Sequence, residues 1–400
     1  GVSLIDTVMV LIINIFTALA TGGAVIAGQF LGKKKTEMAC KATNQLLAFT
    51  LKASLAVMIL GYLGRNLITH VIFGNIEADV LYNCNVYMMI VFASIPMIAL
   101  YNAGAAAFRA MGNSSIAMKT SLLMNAINIC GNAVLIYGFH RGVEGVAIPT
   151  LVSRTVACIV MLFMLNNQKH MVHIYHPFSF KTDWSLLKKI LYIGIPNGLE
   201  NSMFQLGKIM VLSIVTGFGT ASIAANAVSN NVATFATLPG MAIGFAMLTV
   251  VSQCVGAGDF EQVKYYTKKL IRIIYISALA INILVVLAVP FVVSIYGLSE
   301  EASSYARQIL FYHSACVVTI WPLSFSLPNT LRAAADVKFT MGMSILSMWI
   351  FRIGFSVVLG VYLDMGVFGV WVAMTIDWLF RSICFVTRYI RGKWKHAALV

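Results

Sequence analysis

The 400-residue sequence contains few charged residues. Lys, Arg, Asp and Glu make up 10% of it and hydrophobic residues 60%, whereas soluble proteins carry about 25% charged residues. The polar side chains are too few to cover the surface of a water-soluble fold. Seven scattered cysteines without C-x-x-C spacing indicate neither a disulfide framework nor a zinc site. H-E-x-x-H, G-x-S-x-G and phosphate-loop motifs are also absent, so we predict a membrane protein that is neither an enzyme nor an ATP-driven pump.

Long apolar runs dominate what is present. Crossing a hydrocarbon core of about 30 Å takes roughly 20 helical residues, and eleven stretches are long enough. All should be α-helices, because unpaired backbone groups are too costly in lipid. The expected fold class is therefore all-α integral membrane. The spans lie near residues 8–31, 46–64, 82–107, 116–137, 143–166, 186–214, 224–254, 270–296, 306–330, 339–363 and 367–388.

The net charge of +14 comes from bases in short loops, which indicates membrane topology rather than nucleic-acid binding. Alternating assignment of the loops gives one side only Arg65, Arg141 and Arg307. By the positive-inside rule the other side, with the C-terminus, is cytoplasmic. Its bases include Lys33, Lys34, Lys35, Arg109, Lys169, Lys188, Lys189, Lys268, Lys269, Arg332, Lys338, Arg388 and Lys395.

The sequence repeats itself at an offset of 223–224 residues. For example, Arg109-Ala110 matches Arg332-Ala333, and Asn113 matches Asp336. The span at 186–214 has no counterpart in the first half, so we expect two parallel six-helix repeats whose first helix is not in this chain. The predicted divisions are an N-lobe at 1–166 (helices 2–6), a cytoplasmic linker at 167–185 and a C-lobe at 186–400 (helices 7–12).

Several stretches resemble a known family. Leu19-Ala-Thr-Gly-Gly-Ala through Gln29-Phe-Leu-Gly32 resembles its second helix, and Gly194-Ile-Pro-Asn-Gly-Leu-Glu200 its seventh. Met348-Trp-Ile-Phe-Arg352 and Asp377-Trp-Leu-Phe-Arg381 resemble its eleventh and twelfth. The sequence thus resembles the multidrug and toxin extrusion (MATE) family over the whole chain. The resemblance implies a multi-pass inner-membrane (plasma-membrane) antiporter that exports amphipathic, usually cationic, organic compounds in exchange for H⁺ or Na⁺ by alternating access.

Ionisable groups deep in a bilayer cost at least about 2.5–3.5 kcal/mol each and therefore need a partner or a task. Glu200 lies mid-span between Asn197 and Asn201, on the helix where the family places a coupling acid. We expect Glu200, Asn197, Asn201 and Asp377 to bind the coupling cation, although a structural hydrogen bond is the alternative for Glu200. Sodium-coupled members of the family have an acid on the tenth helix, whereas residues 313–331 of this sequence contain none. This absence favours H⁺ as the coupling ion. No cofactor is expected.

Arg352 and Asp377 lie on adjacent spans at depths that allow contact, and Arg381 follows Asp377 by one helical turn. They form either a structural ion pair or a cation relay. Lys208 is about 12 Å along the helix from Glu200, so we expect it to extend toward the membrane interface instead of pairing with that acid.

Polar side chains at helical spacing, together with nearby aromatic rings, supply the predicted substrate site. In a cleft between the lobes they would hold a flat cation by cation–π contacts and hydrogen bonds. Hydrogen bonding between helices is the alternative role of the asparagines. The predicted substrate-binding residues are Tyr101, Asn102, Phe204, Asn226, Asn230 and Thr234.

Two other functions stay open at this point. A lipid-linked oligosaccharide flippase of the same superfamily would need a cationic cleft, for which Arg352 and Lys208 are available. A membrane scaffold without transport is the second. His170, His173 and His176 are three residues apart, but their aromatic-rich interfacial segment argues against a metal site. The expected partners are small-molecule substrates and the lipid bilayer, with no nucleic acid, and the expected state is a monomer.

Overall fold

A computed structural model describes residues 2–72, 74–175 and 178–400 of the chain. His176, the last of the three spaced histidines, lies outside these ranges. Within them the regular structure is helical, with no strand. The long helices are α1 (Val2–Gly32), α2 (Thr36–Leu63), α3 (Ala78–Phe92), α4 (Ile95–Ala110), α5 (Ser114–Gly138), α6 (Glu144–Leu165), α7 (Trp184–Thr216), α8 (Thr220–Gly256), α9 (Phe260–Ile295), α10 (Glu300–Val317), α11 (Pro322–Ala333), α12 (Val337–Tyr362) and α13 (Gly366–Arg391).

The helices confirm the predicted all-α membrane fold class. In the described part of the chain, eight helices are long and apolar enough to cross a membrane, and ten spans result if two bent pairs each count as one. The bent pairs are α3 with α4, at 44°, and α10 with α11, at 62°. The eleventh predicted segment is α7, whose polar centre at Asn197, Glu200 and Asn201 keeps it outside that set. The count of eleven therefore stays a prediction.

Proline accounts for the position of both bends. Pro96 lies in the first turn of α4 and Pro322 begins α11. A proline has no amide hydrogen for the helical ladder but is tolerated in a first turn, so a new helix can begin there. α11 opens with a π-helical turn, Pro322–Ser326, and α12 contains another, Met348–Gly354. Such widened turns often occur at functional sites.

The chain divides into two compact units, Gly1–Gly198 and Leu199–Val400. The boundary between these units lies inside α7, and the division into two lobes with a linker at 167–185 stays a prediction. The first half of α7 belongs to the first unit because its backbone packs closely on α1. A Cβ atom on Gly22 would come within 2.6 Å of the carbonyl oxygen of Ile190 and 2.9 Å of the amide nitrogen of Gly194. Small residues allow such close helix approach in membranes.

The internal repeat is visible in three pairs of turns, each at the predicted offset. Both members of a pair have a residue in the left-handed region, where only glycine is free of strain. The adjoining backbone hydrogen bonds also match, since the amides of Asn113 and Asp336 bond to the carbonyls of Phe108 and Leu331. The paired φ values are 59° at Lys34 and 72° at Gly258, 79° at Gly112 and 68° at Ala335, and 51° at His140 and 57° at Asp364.

Aromatic side chains form much of the interior of the second unit. Trp321 stacks on Phe325 with ring centroids 5.4 Å apart, and Phe325 meets Trp378 edge-on at 6.0 Å. His313 lies 5.4 Å from the rings of both Trp371 and Trp378. This aromatic interior adjoins the charged residues described next.

Candidate functional site

Glu200 of α7 is held by an arginine that the sequence analysis had not assigned to it. Nη2 of Arg332, on α11, donates to Glu200 Oε1 over 2.6 Å, and its Nη1 donates to Asn329 Oδ1 over 3.1 Å. Nη2 of Arg381, on α13, is 3.9 Å from the same glutamate oxygen. The side chains of Glu200 and Arg332 are only 7% and 13% exposed. One buried carboxylate is thus shared by two guanidinium groups.

The prediction that Arg332 is a loop residue was therefore wrong, whereas its side of the membrane stays a prediction. Arg332 lies in the last turn of α11, and its side chain pairs with an acid 132 residues away. One signal for this position was available in the sequence, namely the match of Arg332 with Arg109 in the repeat. In the structure Arg109 also lies in the last turn of a helix that follows a break.

A second acid in the same unit, Asp377, is fully buried on α13. The hydroxyl of Ser347 donates to its carboxylate, and Arg352 Nη1 is 4.0 Å from its Oδ2. The predicted Arg352–Asp377 pair is present at this long distance. Arg381, predicted for the same group and one turn after Asp377, has its ion pair with Glu200 instead.

Aromatic rings cover the cations of this group. The guanidinium carbon of Arg381 is 4.5 Å from the Phe325 ring centroid, and that of Arg352 is 4.9 Å from the centroid of Phe204. Lys208 Nζ also lies over Phe204, at 4.8 Å. We predicted Phe204 as a cation–π contact for substrate, but its ring already contacts two cations of the chain itself. Such contacts stabilise partly buried cations.

Several polar atoms of the group are buried without a hydrogen-bond partner among the described residues. They are Glu200 Oε2, Arg332 Nε, Arg352 Nη1, Asp377 Oδ2, and both Nε and Nη1 of Arg381. Unpaired buried polar atoms are rare and commonly mark an unseen ligand or a functional role. We call Glu200, Arg332, Arg352, Asp377 and Arg381 the charge cluster.

A family model described as MatE matches residues 1–134 and 196–358. The chain belongs to the MATE family. Residues 1–134 and 196–358 cover most of both units, so the assignment applies to the whole fold. This MATE protein is accordingly a multi-pass membrane transporter.

Curated relatives of this MATE protein have related names. "Probable multidrug resistance protein YoeA" of Bacillus subtilis is 26% identical over 402 residues, which cover 96% of this chain and 84% of the relative. "Probable multidrug resistance protein NorM" of Thermotoga maritima is 22% identical over 342 residues, covering 82% and 71% respectively. The matches run through both halves of the chain, in agreement with a multidrug efflux transporter.

Solved structures share the fold. A MATE transporter crystallised in its bent conformation aligns with a TM-score of 0.89 at 20% identity, covering 97% of this chain and 86% of that one. An outward-facing MATE family transporter of the MOP superfamily gives the same score and identity, with 98% and 87% covered.

The predicted substrate residues of this MATE transporter have varied surroundings. Asn226 is buried and accepts a hydrogen bond from Trp371 Nε1 over 3.0 Å, which supports the alternative role of joining helices. Asn230 and Thr234 are exposed, and the Thr234 hydroxyl donates to the backbone carbonyl of Asn230. The three residues therefore do not share one environment, despite their even spacing.

The remaining predicted residues lie in the first unit or at its border. The Tyr101 hydroxyl donates to the carbonyl of Ala117 over 3.2 Å, and Asn102 Nδ2 donates to Thr17 Oγ1 over 3.3 Å. Asn197 is buried at the end of the first unit, and Asn201 is half-buried at the start of the second.

Metal ligation has no geometric support in the described residues, where no three His, Cys, Asp or Glu side chains form a group that could hold an ion. His170 packs edge-on against Phe108, 5.1 Å between ring centroids, and its carbonyl lies 2.9 Å from His173 Nδ1. These contacts give both histidines a structural role.

Proposed function

We propose that this MATE transporter is a secondary active antiporter that exports amphipathic, cationic organic compounds in exchange for H⁺ by alternating access. The coupling proton would bind at Glu200. The observation that carries the proposal is the state of that carboxylate, whose Oε1 is bonded to Arg332 while its buried Oε2 has no partner among the described residues.

The surroundings of Glu200 favour a proton over Na⁺. Hard cations such as Na⁺ are best held by several oxygen ligands. Oε1 of Glu200 is already committed to Arg332, with Arg381 3.9 Å away, which leaves one carboxylate oxygen for a bound cation. A proton needs one oxygen only, and Oε2 is available for it.

Antiport follows if a bound proton and a cationic substrate cannot both occupy Glu200. In the state described here Glu200 accepts a hydrogen bond from Arg332, and Arg381 lies 3.9 Å from the same oxygen. Protonation at Oε2 neutralises the acid and removes the ionic part of the Arg332 contact, which is the larger part of a charged hydrogen bond. A cationic substrate that competes for the ionised carboxylate is displaced in the same step. We assign Asn197 and Asn201 to hydrogen bonds with the bound species, and Asp377 to holding Arg352.

Purified protein in liposomes tests the proposal. An imposed pH gradient should drive ethidium transport, whereas a Na⁺ gradient at constant pH should not. Glu200→Gln should abolish the proton-driven component, because the amide cannot release a proton. Glu261→Gln is the matched control, since Glu261 pairs with Lys264 on an exposed helix start. Undiminished proton-driven transport by Glu200→Gln would refute the assignment.

We further propose that the transporter lies in the inner (plasma) membrane as a monomer, with a cytoplasmic C-terminus. The distribution of loop Lys and Arg supports this orientation. Membrane-impermeant amine labelling of intact cells should leave the lysines at 33–35 unmodified, and labelling of that loop from outside would contradict the topology.

The flippase alternative gains one observation from the structure. Arg332 and Arg381 join Arg352 in the second unit, so more buried positive charge is present than the sequence indicated. The multidrug names of the relatives favour drug export. Flip of a lipid-linked pyrophosphate by the same liposomes, without ethidium transport, would reverse that preference.

A further inference from the structure

The charge cluster of the second unit has an excess of positive charge. It contains three arginines, Arg332, Arg352 and Arg381, but two carboxylates, Glu200 and Asp377. Both Arg352 and Arg381 are at least nine-tenths buried. An uncompensated charge inside a bilayer protein is costly, so the remaining positive charge requires a counter-charge.

No further described carboxylate of the unit supplies it. Asp336 is committed to Arg388, which donates to its two oxygens over 2.7 and 2.9 Å. The other acidic residues of the unit lie at helix starts or in a turn, namely Asp259, Glu261, Glu300, Glu301 and Asp364. Neutralisation from within the described unit is therefore incomplete.

The unused hydrogen-bond donors of the cluster point to the kind of ligand that is missing. Nε and Nη1 of Arg381, Nη1 of Arg352 and Nε of Arg332 are all buried and have no hydrogen-bond partner among the described residues, although Arg352 Nη1 lies 4.0 Å from Asp377 Oδ2. A guanidinium offers only donors, so a partner for these four nitrogen atoms must be an acceptor. Because Arg332 and Arg381 share one oxygen of Glu200, their guanidinium groups are close neighbours.

We propose that Arg332, Arg352 and Arg381 bind one monovalent inorganic anion, of which chloride is the probe. A single negative charge balances three arginines against two carboxylates. The same anion accepts from the orphaned donors without removing Glu200 or Asp377 from their partners. Arg352 lies over the Phe204 ring and Arg381 over the Phe325 ring, and the centroids of these two rings are 6.2 Å apart, so both arginines lie against one aromatic pair. The count of two carboxylates applies to the ionised state of Glu200, and to this extent the inference rests on the proposed function. Chloride binding is measured without transport, so the two proposals can fail separately.

Thermal unfolding of the detergent-solubilised protein tests the anion site. Chloride is varied against gluconate at constant ionic strength, because a ligand that binds only the folded state raises Tm with its concentration. The apparent Tm should rise by roughly 2 °C for each tenfold increase in chloride above the dissociation constant. Saturable quenching of tryptophan fluorescence by bromide, with Trp378 beside Phe325, is the second measurement.

Variants locate the effect. Arg381→Gln should weaken the affinity for chloride roughly 10- to 100-fold, the loss expected for a charged hydrogen bond. Arg352→Gln is the second variant if the first does not fold. Arg388→Gln, which removes an arginine of the same helix outside the cluster, should lower Tm but keep the chloride response. A chloride response in both Arg381→Gln and Arg352→Gln as large as that of the unsubstituted protein would overturn the proposal. No chloride-specific response, or stabilisation by pyrophosphate alone, would also overturn it.

Discussion

Removing the acid of the charge cluster should destabilise the protein more than removing its main arginine. Glu200 Oε1 lies 2.6 Å from Arg332 and 3.9 Å from Arg381. With an effective dielectric constant of about 20, these distances correspond to roughly 6 and 4 kcal/mol of attraction before desolvation is subtracted. The second arginine can therefore replace much of the first, whereas nothing described in the cluster replaces Glu200.

The two single variants should differ accordingly. Glu200→Gln leaves two buried guanidinium groups without their carboxylate, and we expect a loss of about 3–5 kcal/mol in the free energy of unfolding. Arg332→Gln leaves Glu200 with Arg381 and should cost about 1–3 kcal/mol, which is below the loss of about 3–5 kcal/mol for a broken buried pair. The double variant should cost less than the sum, with a coupling energy of about 2 kcal/mol.

The unsubstituted protein, the two single variants and the double variant form a double-mutant cycle. Denaturation in mixed detergent micelles measures the free energy of unfolding of all four proteins. The control cycle uses Asp336→Asn and Arg388→Gln, a bidentate pair whose arginine is 23% exposed, so its coupling should be smaller, about 1 kcal/mol. A coupling energy below about 0.5 kcal/mol for Glu200 and Arg332, or a loss in Arg332→Gln as large as that in Glu200→Gln, would refute the reasoning.

Two further predictions concern single side chains. The Ser185 hydroxyl donates to Asp183 before α7 and lowers the pKa of that exposed carboxyl. A carboxyl whose pKa is lowered by folding stabilises the fold while it is ionised, and this stabilisation is lost when acid protonates it. Asp183→Asn should therefore lower Tm slightly at about pH 7 but not at about pH 3. Asn226→Ala should cost about 1 kcal/mol by removing the acceptor of Trp371, whereas exposed Asn230→Ala should stay within about 0.5 kcal/mol; equal losses would contradict the different environments.

The positions of the helices could be predicted because the lipid core imposes a length and an apolar composition on each segment. The bends could be anticipated only at Pro96 and Pro322, and even there the sequence does not show whether a proline bends a helix or starts a new one. Pro149 and Pro196, for example, lie inside continuous helices. Packing by neighbouring helices decides between these outcomes.

The candidate site was predicted in part. Glu200 could be identified because an acid in the middle of an apolar span is costly and rare. Its partner Arg332 could not, because a base near the end of a span has the same local pattern whether it faces solvent or folds back into the unit. Asn226 and Thr234 are spaced at a helical period, but the spacing does not show which partner each side chain has. Asn226 accepts a hydrogen bond from Trp371, and the Thr234 hydroxyl donates to a backbone carbonyl.

The duplicated turns give this chain a comparison within itself. In each pair, two different residues have been accepted at one backbone conformation, Lys34 with Gly258, Gly112 with Ala335 and His140 with Asp364. Either half can therefore serve as a template for engineering the other. The counterparts of Lys34 and Ala335 are glycines, at positions 258 and 112. Glycine at position 34 or 335 should therefore fit the turn and stabilise the fold by about 1 kcal/mol, because it removes the strain of a side chain in the left-handed region.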